Sequence, residues 1–227
     1  MHGSYSKKKE TLEYLITIRM IAQFFVTTII MMFLYPGGTR EDPTTVGYSF
    51  FENMFSDLGM VQAYTGESNL VSMWLFSIST ILVGISLISF TLAFDNTLRS
   101  TKKYKKMGRT VLILGIIAGI GYIGVGLTPK DLSWARIPHF IFQYVAFLAL
   151  LVMSILYAII ILKTGLFART FAYIHLGCAT LQFLYLLILY HIIPVSLIVD
   201  VTAQKIIVYC QLLNFLIQAY GGLKKDS

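Results

Sequence analysis

Six long, almost uninterrupted apolar stretches constrain this chain more than any other feature: residues 14–36, 69–94, 110–129, 138–162, 170–193 and 203–222. A helix rises about 1.5 Å per residue, so each stretch reaches across the roughly 30 Å hydrocarbon core of a bilayer. With 56% hydrophobic and only 13% charged residues, and a mean hydropathy of +0.73, the chain has too little polar surface for a water-soluble fold. The expected fold is an all-α integral membrane protein: a single six-transmembrane-helix bundle over residues 1–227, with a short amphipathic helix in the first outer loop. Residues 37–68 cannot add a seventh span, because Arg40, Glu41, Asp42, Glu52, Asp57 and Glu67 interrupt them.

Orientation follows from the cations. All but four of the 18 basic residues fall on the side of the chain ends, if Arg19 snorkels back to that side; the four are Arg40, Lys130, Arg136 and Lys205. Basic loops stay inside, so both termini are predicted cytoplasmic in a multi-pass cell-membrane protein. The net charge of +7 and the run RSTKKYKKMGR, residues 99–109, fit this topogenic role, with no nucleic-acid partner. The first apolar run is too long for a signal peptide and ends in LYPGGTRED, so it reads as an uncleaved span. Cys178 and Cys210 fall inside spans and carry no disulfide expectation.

Two patterns mislead. GIGYIG, residues 119–124, matches a dinucleotide-binding fingerprint but lies within a membrane span, where no strand precedes it. Gly115, Gly119 and Gly126 instead form a face that lets another helix approach closely. Asp200 and Lys205 look like a retinal-binding pair, but five residues on a helix turn them apart. Lys205 reads as an edge residue near the start of the last helix. His175 reads as a hydrogen-bonded packing residue.

The stretch FFENMFSDLGM, residues 51–61, raises the functional question. Ser49 and Glu52 have capping-box spacing, and Gly59 suits a left-handed stop, giving a surface helix. Phe51, Phe55 and Leu58 would share its apolar face, with Asn53, Ser56 and Asp57 on another. Asp57 would then lie at the unfavourable C-terminal end of that helix and need a partner among Arg136, Lys205 and His139. A second cluster, GVGLTPKDLSWARIPHF, residues 124–140, places Pro138 in the first turn of the fourth helix, with His139 and Gln143 one turn apart on one face.

The order N-x-x-S-D-L-G, then G-L-T-P-x-D before a proline and histidine, then A-Q-K-I entering the last span, resembles a six-span family catalogued as a domain of unknown function. More distantly it is similar to the DRAM-like membrane proteins. The resemblance marks Asn53, Ser56, Asp57, Gly59, Pro129, Asp131, His139, Gln204 and Lys205. It implies lipid or glycolipid handling and no established reaction.

Three functions follow from these residues. The leading one is non-catalytic binding of membrane lipids or a membrane-protein partner through an outer polar cap of Asn53, Ser56, Asp57, Asp131, Arg136, His139, Gln143 and Lys205, with no cofactor. A second is purely architectural: the same groups fasten loops to the bundle. The third is a metal-dependent lipid hydrolase of the CREST type, with Asp57, Asp131, His139 and His191 as ligands; its weakness is the lack of a third outer histidine.

Overall fold

A computed structural model describes residues 2–98 and 104–225; Arg99, Ser100, Lys102, Lys103 and Asp226 lie outside the described residues. The described chain is helical and carries six helices long and apolar enough to cross a membrane: α1 His2–Leu34, α2 Leu70–Leu98, α3 Lys105–Leu127, α4 Ser133–Thr164, α5 Arg169–Leu189 and α6 Leu197–Lys225. The fold is therefore a six-helix membrane bundle. Helical backbone is what such a chain must adopt, because hydrocarbon offers no partner to an open N–H or C=O.

Each helix packs on the next in sequence, and α6 closes the ring against α1. Alternating helices put the starts of α1, α3 and α5 and the ends of α2, α4 and α6 on one face, here the terminal face. The α1–α2 loop, residues 128–132 and residues 190–196 lie on the opposite face. Trp74 and Trp134, both more than 60% exposed, stand near the ends of α2 and α4 on that second face, where indoles favour a membrane–water boundary.

Helix ends differ from the apolar runs in instructive ways. Hydropathy finds the lipid-embedded part, whereas helices continue into polar ends. Thus α1 already includes Lys7, Lys8 and Lys9, and α4 starts at Ser133, leaving Pro138 inside the helix rather than opening it. His139 is accordingly more than a turn deeper than expected. The start of α6 at Leu197 likewise buries Lys205, which is 1% exposed, so it is no edge residue. Arg19 is exposed on α1.

The glycine face of α3 packs as its spacing predicts. A side chain at Gly115, Gly119 or Gly126 would collide with α2, at Thr91, at Ile88 and the Gly84 carbonyl, and at Thr80. Gly121 and Gly124 give the same close approach to Phe142 and Ala146 of α4. GIGYIG is continuous helix at this double contact. Below, an aromatic column of Phe90, Phe94, Tyr157 and Phe215 fills the centre, with ring centroids 4.3–6.4 Å apart.

Candidate functional site

The α1–α2 loop folds over the bundle as a cap. Gly37 and Gly38 turn the chain with φ of +145° and +82°, and a Cβ at either would meet the backbone of neighbouring loop segments. Gly38 N–H donates to Thr45 O at 2.7 Å. A five-residue 3-10 helix, Phe55–Gly59, follows. Ser49 Oγ does donate to Glu52 at 2.8 Å, but the segment between them is a turn, with Asn53 N–H donating to Ser49 O. The helix starts later than the capping-box spacing suggests.

That later start reverses the expected electrostatics of Asp57. The residue sits in the first turn, where a carboxylate is favourable, and its Oδ2 accepts the Met54 N–H at 2.8 Å. Asn53 Nδ2 donates to the same oxygen at 3.2 Å. Oδ1 receives the Tyr64 hydroxyl at 3.4 Å and an ion pair from Lys130 Nζ. Lys130, and neither Arg136 nor Lys205, is thus the partner. Gly59 is not left-handed; it lies against the Phe76 ring, with no room for a Cβ.

The expected amphipathic division holds only in part: Phe55 and Leu58 are buried as expected, but polar groups turn inward with them. Asn53 and Asp57 are buried, whereas Phe51 is 56% exposed. Asn53 explains why: Oδ1 accepts the Ser49 N–H at 2.9 Å, Nδ2 donates to Gly38 O at 2.9 Å, and its carbonyl accepts the Tyr48 hydroxyl at 2.9 Å. Lys205 Nζ donates to that same carbonyl, inside a cage of Tyr48, Phe50 and Phe55 whose ring centroids lie 5.1–5.6 Å away. Burial, then the Asp57 charge, raises the Tyr48 and Tyr64 phenols well above their ordinary value, which keeps both as donors.

Further contacts fasten this unit to the bundle. Gln204 Oε1 accepts the Phe55 N–H at 3.0 Å. Exposed Asp131 accepts the Val61 and Gln62 N–H groups at 2.9 and 3.1 Å. Asn69 Nδ2 and Ser72 Oγ both donate to Leu58 O. His139 Nδ1 bonds Thr128 O at 2.6 Å, tying α4 to the end of α3.

Directly beneath the 3-10 helix lies a cavity at the centre of the ring. Phe24, Phe55, Phe76, Tyr122, Val125, Phe147 and Val208 make its apolar wall, and Ser56, Thr80, His139, Gln143 and Gln204 also line it but leave its surface almost wholly apolar. Its volume of about 50 Å³ is several times the ~10–15 Å³ that one water needs on the same measure. No lysine, arginine, aspartate or glutamate lines it. Tyr122, a wall residue, has a buried hydroxyl without a hydrogen-bond partner.

The expected residues therefore divide. Asn53, Asp57, Asp131 and Lys205 form the fastened cap, whereas Ser56, His139 and Gln143 line the cavity. Arg136 is exposed on α4 and His191 is exposed beyond α5, with φ of +56°. Among the described residues no three His, Cys, Asp or Glu side chains gather as metal ligands. The four proposed ligands are not brought together: Asp57 and Asp131 are engaged elsewhere, and His191 stands outside the network. Sequence reasoning passed over Tyr48, Tyr64 and Tyr122, since nothing in the letter Y distinguishes a lipid-facing phenol from a buried donor.

Residues 21–214 match the family described as Protein of unknown function (DUF998). The chain belongs to this family. Comparison with curated proteins and with solved structures gives no match. The DUF998 match covers α2, α3, α4 and α5 entire, the cap-side part of α1 and most of α6, and it includes both the cap and the cavity beneath it.

Proposed function

We propose that this DUF998 protein binds a membrane lipid or related amphiphile with an uncharged, hydrogen-bonding headgroup in the cavity under the cap. The observation that carries this reading is the wall chemistry: the cavity surface is almost wholly aromatic and aliphatic, with a few polar residues at its edge and no lysine, arginine, aspartate or glutamate among them. An apolar chain segment would fill the Phe24, Phe76 and Phe147 side, and a hydroxyl, ester or amide would meet Ser56, Gln143, Gln204 or Tyr122. The charged groups of the cap are occupied with one another and with backbone, so they serve as its fastening rather than as the ligand's partners. We place the protein in the cell membrane with both termini cytoplasmic, on the strength of its basic terminal face.

The test is thermal unfolding of purified protein with added neutral and anionic single-chain amphiphiles. A neutral monoacylglycerol should raise the melting temperature more than a lysophosphatidate of equal chain length, because binding to the folded state alone stabilises it. Equal shifts from both, or none, would refute the reading.

A further inference from the structure

His175, deep in the bundle, is a packing residue, with Asn214 and Gln218 of α6 taking its two ring nitrogens. The charge left without a role is Asp200, in the first turn of α6. It is half-buried, its Oδ1 is enclosed with no hydrogen-bond partner, and among the described residues no cation pairs with it. Near it on α5 stands Tyr185, 2% exposed, whose hydroxyl likewise has no partner. The two groups act on each other electrostatically. A carboxylate on a membrane helix is costly unless a cation or donor meets it. Two unsatisfied groups together, on two helices, mark a missing third component.

The backbone leaves a place for one. α5 is the shortest of the six spans and stops short on the cap side. Tyr190, which caps its end, stacks on Tyr144 of α4 with ring centroids 5.1 Å apart. Tyr144 lies well inside α4: between it and Ser133 the helix rises a further 16 Å or so, at ~1.5 Å per residue. The cap-side turns of α4 therefore stand above the end of α5, and residues 190–196, which lead on to α6, are all exposed. This step is apolar toward the bilayer, where Ile141, Ile192 and Ile198 are exposed. Its floor is polar. The Asp200 charge acts on Tyr144, and His191, Arg40 and Lys130 act on Asp200.

We propose that the step over the end of α5 holds the ammonium headgroup of a zwitterionic phospholipid from the cap-side leaflet, with its nitrogen against the Asp200 carboxylate and the Tyr190 ring. A carboxylate beside an exposed aromatic face is the pairing that recognises an organic ammonium. Lys130 is engaged with Asp57, which leaves Asp200 to the ligand. The exposed His191 imidazole, next to Tyr190 in sequence, donates to the lipid phosphate, and the acyl chains run along the exposed isoleucines. A divalent metal suits the step less well, since among the described residues no three His, Cys, Asp or Glu side chains gather. The site is separate from the cavity, whose wall includes neither Asp200 nor Tyr190.

The experiment is thermal unfolding of the full chain in maltoside micelles with added phosphatidylcholine or phosphatidylglycerol of the same acyl chains. Phosphatidylcholine should raise the wild-type melting temperature by several degrees more than phosphatidylglycerol, since a ligand of the folded state stabilises it. Asp200→Asn should erase that difference, and Tyr190→Leu, at a half-exposed position, should shrink it. Without lipid, Asp200→Asn should melt no lower than wild type, because the lost charge had no partner; a lower value means that the carboxylate serves the fold, and overturns the proposal. Val208→Phe, which narrows the cavity, should keep the preference, and its loss there would put the lipid in the cavity instead. Equal shifts from the two lipids in wild type overturn the proposal, as does a preference unchanged in both Asp200→Asn and Tyr190→Leu. Choline chloride at matched concentration should give no shift, and one as large as the lipid's overturns the assignment to a phospholipid.

Discussion

The Asp57 carboxylate and the Lys130 ammonium form a largely buried ion pair that joins two loops 73 residues apart in sequence. Its energetic weight comes less from attraction than from the cost of leaving either charge buried alone. Asp57→Asn and Lys130→Met should each destabilise by about 3 kcal/mol, the low end of the range for breaking such pairs, since Lys130 keeps some contact with water. The double variant should lose less than the two together. A thermal-unfolding cycle on the four proteins measures the coupling, and hydrogen exchange across residues 44–60 should rise in Asp57→Asn.

The α2–α3 contact makes a sharper steric prediction. Gly119→Ala drives a methyl into Ile88 and the Gly84 carbonyl and should cost about 1–3 kcal/mol, whereas Gly177→Ala, with open space around it, should be neutral or slightly stabilising. Parallel melting curves of the two variants check this. Equal stabilities would mean that α3 is free to shift away from α2.

Alkaline pH should loosen the cap. Burial, with the Asp57 charge second, raises the phenols of Tyr35, Tyr48 and Tyr64 above their ordinary value of 10.0. The unfolded chain therefore releases those protons first, and the stability present below about pH 10 is lost as pH rises above it. Melting temperature followed from pH 9 to pH 12 should fall less steeply in Tyr64→Phe than in wild type.

Much of this architecture was legible in apolar runs, because spanning helices are demanded by length and composition alone. The α3 glycines were legible for a related reason: small residues at helical spacing have few uses in lipid. The cap was legible only as a list of residues. Nothing in N-x-x-S-D reveals that Asn53 and Asp57 turn inward, since that depends on the 3-10 helix starting at Phe55 and on loop carbonyls supplied from Gly38. Lys205 was misplaced because its helix runs two turns further toward the cap than hydropathy suggests. The cavity draws its wall from five helices and the cap, and no local pattern encodes that convergence.

Orientation is open to direct measurement. In a variant without native cysteines, Val46→Cys, at a position 94% exposed, and Ser133→Cys should react with an impermeant thiol reagent added to intact cells. Lys106→Cys, exposed on the terminal face, should react only after lysis. The reverse pattern would place the cap in the cytoplasm.

Occupancy of the cavity bears most directly on what the protein does. Native mass spectrometry of protein purified in mild detergent should detect a retained neutral lipid in wild type, and Val208→Phe should lose it, because the larger ring intrudes on the cavity that this residue lines. Asp131→Asn, which alters the cap's fastening outside the cavity, should keep it. Wild type without any lipid adduct, or an adduct retained equally by Val208→Phe, would contradict the assignment of the cavity as the binding site.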